Sequence, residues 1–479
     1  MTARLIRKIT AAIVIIASIS ATAFVAVAEF ELTAPRFYIG SGENRADITD
    51  LGVGVGRVVC EAKVAPSMAN SAVLLAALYK NGDFEAVRLS GTTSYAEGGA
   101  VTLATEVTIP SSLTDRYTLK AFLWSGTEDI APLAKTASLE SVAKLFFVSP
   151  NGSDSALGTV TAPWKTMRKL TTASAFSAGS TAVFMDGVYR ETQAAVFNKS
   201  GTAKNPISIR ALNKHGAKIV YPSALSTSIK LVVNNNQRHI AVRDFEFTVE
   251  DGYESGSLND IMLCSRGSDS AFTGNKIHGF YEDGIKLSGA SGMLIEDNTI
   301  YDIEHEGFDA VNTADTTVRN NTIRGIGRMG ILVKGGSRNF TVYNNLIYSL
   351  PGDTRTMSSG AVGVGGTTID TSAFDVNADT GFEIYNSAFF NNIIYSQSAT
   401  DIHTGFAYSG ATDTYCFNNI VVGCARGVRF KNAPGTENGW EWDPPCRNNT
   451  SMNNLFVSGQ RAYDTGLTVP QNLVSDYNL

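Results

Sequence analysis

Down the second half of the chain an asparagine recurs two positions before an aliphatic residue. The segments are Asn275-Lys-Ile277, Asn298-Thr-Ile300, Asn321-Thr-Ile323, Asn345-Leu-Ile347, Asn392-Ile-Ile394 and Asn419-Ile-Val421. The steps between these asparagines are 23, 23, 24, 47 and 27 residues. Phe272, Ile295, Val318, Val342, Phe389 and Cys416 stand three residues ahead of them, and Cys446 extends that column ahead of Asn449. Stacked Asn side chains can bond one another and the turn backbone, which satisfies groups otherwise buried unpaired. A near-constant step with one Asn column and one apolar column predicts an all-β fold, a right-handed parallel β-helix. The 47-residue step is then one coil carrying an inserted loop, or two coils. The apolar column is expected to face the core. A leucine-rich solenoid would need a Leu-dominated repeat, which is absent.

Upstream the pattern differs. Val58-Val59-Cys60, Val73 to Tyr79 and Tyr117 to Trp124 read as strands, and Asn81-Gly82 is a hairpin signal because both residues tolerate positive φ. Residues 29–140 are expected to form a small immunoglobulin-like β-sandwich. Tyr117 to Trp124, followed by Pro132-Leu133, resembles the last strand of sandwich modules attached to bacterial secreted enzymes. Such a module would serve as a spacer or bind carbohydrate. At Leu145 the character changes. Phe146-Phe147-Val148 runs into a turn at Pro150-Asn151-Gly152, a helix-like stretch spans Trp164 to Ala175, and Ala182 to Met185 is a further strand. This block resembles the opening of many secreted β-helix proteins, where a short helix covers the end of the spiral. A bare end would expose strand edges. The β-helix is expected over residues 145–479.

Arg4, Arg7 and Lys8 precede an apolar run from Ala11 to Val27, and Ala26-Val27-Ala28 offers the small residues of a cleavage site. Residues 1–28 therefore read as a signal peptide cut after Ala28. The rival is an uncleaved anchor, since the run is nearly long enough to span a bilayer, although Ser18, Ser20 and Thr22 weaken it. With the leader removed, the protein is expected to be secreted or at the cell surface, monomeric, with no stable membrane insertion. A net charge of -6 shows no basic excess that would suit nucleic acid. Five cysteines, an odd number, imply no complete disulfide framework. Cys60 and Cys264 lie in apolar strand patterns and are expected to be buried thiols. Cys416 and Cys446 would lie one coil apart, as a disulfide or as two stacked thiols, and Cys424 has no assigned role.

The chemistry concentrates where three coils align on a glycine. They are Glu282-Asp283-Gly284-Ile285-Lys286, His305-Glu306-Gly307-Phe308-Asp309, and Arg328-Met329-Gly330-Ile331-Leu332-Val333-Lys334. Ile285, Phe308 and Ile331 share an inward phase, so Lys286 and Asp309 point outward from adjacent coils and Lys334 from the next. Glu282, His305 and Arg328 form another column, with Asp283 and Glu306 beside it. Stacked carboxylates repel unless a cation intervenes. That cation is either lysine, in a surface ion-pair ladder, or a hard ion such as Ca²⁺, which binds through carboxylate oxygens.

His305 to Asp309 resembles the Asp-Asp-Gly-Phe-Asp calcium motif of the pectate lyases in polysaccharide lyase family nine, with His305 and Glu306 replacing two aspartates. Glu282 matches the upstream acidic ligand of that family. Ile331 to Gly336 resembles its strand bearing the catalytic lysine, and Asn339 to Asn345 the strand and Asn turn that follow. The resemblance implies a Ca²⁺ site among Glu282, Asp283, His305, Glu306 and Asp309, and β-elimination on a uronic acid. A lysine amine can take the C5 proton only if neighbouring cations or desolvation lower its pKa. Lys334, with Arg328 and Arg338 nearby in sequence, is the expected base and Arg328 the substrate clamp. Lys286, among carboxylates, suits an ion pair, and with Arg338 it is a candidate substrate contact. Trp440 and Trp442 lie in a late loop and would stack on sugar rings or cover the C-terminal end of the spiral. The Gly-, Ser- and Thr-rich loop 351–380 would wall a groove. The expected activity is a polysaccharide lyase on an acidic polysaccharide. A glycoside hydrolase using Asp283, Glu306 and Asp309, and a non-catalytic glycan-binding β-helix, remain open because the scaffold hosts all three.

Overall fold

The structure, a computed structural model, describes residues 34–40, 45–52, 56–64, 71–90, 93–94, 101–110, 117–125, 131–142, 144–221, 232–250, 262–350, 360–366, 381–396, 404–431, 435–437, 440–442, 445–457, 459–465 and 470–479. The expected signal peptide lies outside them. No helix among the described residues is long and apolar enough to cross a membrane. The chain divides into two compact units, Met1–Leu145 and Phe146–Leu479.

In the first unit, Arg57–Val64 pairs antiparallel with Arg36–Ile39 and with Val101–Thr108. A second sheet places Tyr117–Trp124 between Ala137–Val142 and Ser71–Lys80. Burial alternates along Tyr117–Trp124, as one wet and one packed face require. The hairpin from Ser71–Lys80 to Asp83–Leu89 turns at Asn81 (φ 54°) and Gly82 (φ 97°). Two consecutive positive φ values match the right-handed twist of the flanking strands.

The second unit is a parallel β-helix. Each coil gives one strand to each of three parallel sheets, as Leu294–Glu296, Thr299–Ile303 and Phe308–Val311 do in one coil. Its N-terminal end holds the short helix Arg168–Thr172. Leu170 of that helix joins the core together with Met167, Trp164 and Phe176. Phe146 stacks on Trp164 with centroids 4.5 Å apart.

The Asn column is a continuous buried ladder. Asn298 N–H and Nδ2–H both donate to Asn321 Oδ1 at 3.0 Å. Asn321 does the same to Asn345, at 3.0 and 2.9 Å. The ladder runs on through Asn392, Asn419, Asn454 and Asn478. Each amide also donates back to a carbonyl of the preceding coil, Asn321 to Ile295 O at 3.0 Å. The residue before each ladder position sits in the left-handed region, as Asp297, Asn320, Asn344, Asn391, Asn418 and Asn453 do, with φ between 54° and 57°. Asn and Asp visit that region at lower cost than other side chains, which accounts for the Asn-Asn pairs along the chain. The 47-residue step is one coil, because Leu346 pairs directly with Ile393.

The apolar column pairs Phe272, Ile295, Val318, Val342, Phe389 and Cys416 in register. Its next member is Ser451, not Cys446. The coil after Asn419 carries an insertion, so the ladder partner is Asn454, 35 residues on, while Asn449 bonds Thr414. Cys416 and Cys446 are free buried thiols, and Cys446 lies against Lys431 O. Cys60 is also a buried free thiol, whereas the side chain of Cys264 lies outside the described residues.

Asn321→Ala would leave two donors of Asn298 without an acceptor in the dry interior. Each orphaned group costs about 1–3 kcal/mol, so a loss of about 3 kcal/mol or more is expected. Thr322→Ala, on the outer side of the same corner, is expected to cost under about 0.5 kcal/mol. Urea unfolding of both variants measures the difference. Equal losses would show that the ladder bonds are replaceable by water.

Candidate functional site

The glycines that align the coils have a steric reason. A Cβ on Gly284 would meet Gly307 O at 2.5 Å and Ile300 Cγ2 at 2.8 Å, and one on Gly307 would meet Gly330 O at 2.7 Å. The corner into the third sheet is too tight for a side chain. Past that corner the register is continuous. Lys286, Asp309, Leu332, Gly363, Ala407, Arg429 and Asp464 occupy one row across seven coils. Gly360–Gly365, inside the segment read as a loop, is a strand that pairs with Met329–Lys334. Its glycines masked the alternation of the buried Val362 and Val364.

The third sheet brings Asp283, Lys286, Asp309 and Lys334 together. Lys286 Nζ donates to Asp283 Oδ2 at 3.0 Å and to Asp309 Oδ2. Lys334 Nζ lies 3.5 Å from the same Asp309 oxygen. Asp283 and Asp309 are buried, with 2% and 1% of their surface exposed. Burial alone would lower the Lys286 pKa, but the charges of Asp309 and Asp283 outweigh it and hold the amine well above the ordinary lysine range. Lys286 is therefore a fixed cation. Asp309 Oδ1 is buried and has no hydrogen-bond partner among the described residues. Asp283 Oδ1 accepts from Glu306 N–H at 3.3 Å.

Glu282, His305 and Arg328 make the second column. His305 Nδ1 is 3.4 Å from Glu282 Oε2. Contact with His305, helped by the charges of Lys286 and Arg328, holds the Glu282 carboxyl below its usual range against the opposing effect of burial. Arg328 and Lys334 flank opposite ends of the strand Met329–Lys334, about 20 Å of extended backbone. The expected base and clamp therefore do not converge on one carboxylate. Arg338 leaves this sheet altogether. Its strand Ser337–Arg338 pairs with Ile384 and Tyr385 in the first sheet, because the chain turns at Gly335 (φ 66°) and Gly336 (φ 80°). Trp440 and Trp442 lie on the return strand of a hairpin with Gly435–Glu437, and their side chains lie outside the described residues.

The donor set does not fit calcium. Lys286 Nζ occupies the place between Asp283 and Asp309 that the ion would take, and Glu282 is engaged by His305. Among the described residues no group of three or more His, Cys, Asp or Glu side chains is placed to hold a metal. The sequence could not distinguish an ammonium from a divalent ion as the partner of stacked carboxylates. It also did not single out Glu383, which is buried and whose Oε2 accepts from Gly335 N–H at 2.8 Å. That bond fixes the strand end carrying Lys334.

Residues 220–361 match the family described as the right handed beta helix region. An uncharacterized protein of Bacillus subtilis (strain 168), YwoF, is 28% identical over 330 residues, 63% of this chain and 68% of its own length. An alginate lyase from Paenibacillus sp. str. FPU-7 is similar at 15% identity and TM-score 0.44, over 65% of this chain and 95% of that one. A family 28 exopolygalacturonase of Yersinia enterocolitica is similar at 11% identity and TM-score 0.43, over 93% of this chain and 99% of that one.

Lys286→Met would leave two buried carboxylates facing each other, at a cost of about 3 kcal/mol or more near neutral pH. In the variant their folded-state pKa values rise above the unfolded values, so its stability climbs as pH falls from 8 to 5. In the parent protein the raised Lys286 pKa means that its contribution is fully present below the unfolded lysine pKa, and so is constant over that window. Thermal unfolding of both proteins across pH 5–8 reads the gap, which should narrow at acid pH. A gap independent of pH would contradict the ion-pair role.

Proposed function

We propose that this chain is an exported carbohydrate-active β-helix, a polysaccharide lyase that cleaves an acidic glycan by β-elimination on the outer face of the third sheet. The observation that supports this most directly is the division of labour between two lysines on one carboxylate. Lys286 neutralises Asp309 at close range, whereas Lys334 reaches the same oxygen only at 3.5 Å from a strand end held by Glu383. Lys334 is thus the less committed amine and the proposed base.

The amine takes the proton from C5 of a uronic acid, and the electron pair of that C–H bond forms the C4–C5 double bond. The C4–O bond breaks, and the departing oxygen takes a proton from solvent. Negative charge builds on the substrate carboxyl group as the C5 proton leaves, so the reaction is helped by fixed positive charge nearby. Lys334, once it has taken the proton, places such a charge beside that carboxyl group. Asp309 Oδ1, buried without a partner among the described residues, is an acceptor for a sugar hydroxyl. Arg328, in the neighbouring column, meets a different ring of the chain. The N-terminal basic residues and apolar run support export, and a monomer suffices for the site.

A second reading has its own observation. Asp283 and Asp309 meet on one ammonium, and retaining glycosidases hold their two carboxyl groups about 5–5.5 Å apart. The products decide between them. The full chain is incubated with polygalacturonate, alginate and glycosaminoglycans, with and without chelator. Ultraviolet-absorbing unsaturated ends are expected on one of these, undiminished by chelator. Lys334→Ala should lower the rate about 10²–10⁴-fold with unchanged thermal unfolding. Reducing ends without absorbance would replace the lyase reading with hydrolysis.

A further inference from the structure

The row that carries Lys286 and Asp309 ends, on its last two coils, in a second charged group that the chemistry above does not use. Arg429 stands in register with Ala407 on one side and Asp464 on the other. Arg426 pairs in register with Arg461, one position before the small residues Gly427 and Ala462 at the same tight corner. Three guanidinium groups thus surround one carboxylate. Arg426 Nε lies 2.6 Å from Asp464 Oδ2, Arg461 Nη1 lies 3.3 Å from Oδ1, and Arg429 Nε lies 4.0 Å from Oδ2. The Arg429 Nε donor is buried without a hydrogen-bond acceptor among the described residues. Lys431, two residues on, adds a further cation, whose pKa burial and the neighbouring Arg429 push below the ordinary lysine range.

The two ends of the row differ in charge. Beside Asp309 the buried carboxylates of Asp283 and Asp309 share Lys286 as their fixed cation, so a polyanion gains no net attraction there. Around Arg429 the described cations outnumber the single carboxylate of Asp464. Between the ends the row is uncharged, through Leu332, Gly363 and Ala407. From Asp309 to Arg429 is four coil spacings, about 19 Å at about 4.8 Å each, the length of several sugar rings.

We propose that Arg426, Arg429 and Arg461 form an anion subsite that grips a uronate carboxylate several rings away from the bond cleaved, with the glycan lying along the helix axis. This rests on the reading of the Lys334 end as the reacting centre. Guanidinium groups suit the task, since their planar fork matches a carboxylate in two parallel bonds. Arg426 remains tied to Asp464 and orients the group, while Arg429 and Arg461 are the arms toward the ligand. Arg461, with 67% of its side chain exposed, is the more accessible.

The test reads binding without turnover, in the Lys334→Ala protein. The probes are oligogalacturonates and alginate oligosaccharides of two to eight rings, with neutral cello-oligosaccharides as control, titrated by calorimetry at two salt concentrations. The acidic octamers are expected to bind at least tenfold tighter than the trimers and to weaken with salt. Adding Arg429→Gln and Arg461→Gln should remove that length-dependent gain and leave trimer affinity within twofold. Arg461→Gln alone, at an exposed position, should remove part of it if the double variant does not fold. Octamer affinity unchanged in the folded variants, no acidic oligomer binding at all, or equal binding of the neutral chains would each overturn the subsite. Loss of the length effect with full turnover in Lys334→Ala would instead remove the lyase assignment and keep the subsite.

Discussion

The buried asparagine ladder holds every other feature of the second unit in phase. Each ladder residue uses its amide both to bond the next asparagine and to reach a carbonyl one coil back, so a coil that slipped by one residue would strand several polar groups in the core. The chain can lengthen between ladder positions but cannot change phase at them. The steps of 47 residues before Asn392 and 35 before Asn454 show this directly, since the rows on the third sheet continue in register across both insertions. Residues far apart in sequence, such as Asp309 and Arg429, therefore share a row because of bonds made on a different edge of the coil.

The corner into the third sheet adds a second constraint. Gly284, Gly307, Gly330, Gly405 and Gly427 sit where a Cβ would strike the next coil. A side chain two positions past the corner then projects at the same place in every coil, and its chemistry is free to vary. The protein uses that freedom to set the Lys286 ammonium between two buried carboxylates and a second lysine, Lys334, at the rim. One lysine fills the electrostatic role that a metal could fill in such a cluster, and the other keeps a longer, weaker contact with the same oxygen.

The spiral was legible in the sequence because its determinants are local and repeated. The Asn column, the apolar column and the Asn81-Gly82 hairpin each declare themselves within a few residues. The pairing of Lys286 with Asp309 followed from the same phase, as did the Glu282–His305 column. What failed were inferences across insertions or around corners. Cys446 reads as a member of the Cys416 column because the sequence does not show the longer coil, and Ser451 holds that position instead. Arg338 lies four residues after Lys334 but around a two-glycine turn, in another sheet. The strand Gly360–Gly365 and the place of Asp464 in the row are hidden because Ala361 and Ala462 stand where other coils have the corner glycine. The stacked carboxylates leave lysine and calcium both open as their partner and the family resemblance implies calcium, whereas the fold sets Lys286 Nζ between Asp283 and Asp309.

A stacked parallel sheet offers an enzyme something that a compact active-site pocket does not. Successive coils are separated by a fixed spacing of about 4.8 Å, so binding and reacting groups can be set apart along the axis by adding coils, without remodelling either. Interactions with remote, non-reacting parts of a substrate can supply the energy that aligns the reacting bond. Here the charge surplus and the candidate base lie apart along the axis: Lys334 is in register with Val311 on the coil of Leu332, and the coils of uncharged Gly363 and Ala407 separate it from Arg429. That separation also resolves an electrostatic conflict. A base amine beside three guanidinium groups would be favoured in its neutral form, but a fixed cluster of that charge beside Asp283 and Asp309 would compete with Lys286 for their oxygens. Placing the arginines four coils away keeps the Lys286 ion pair with Asp283 and Asp309 intact and leaves the guanidinium surplus around Asp464 uncompensated among the described residues.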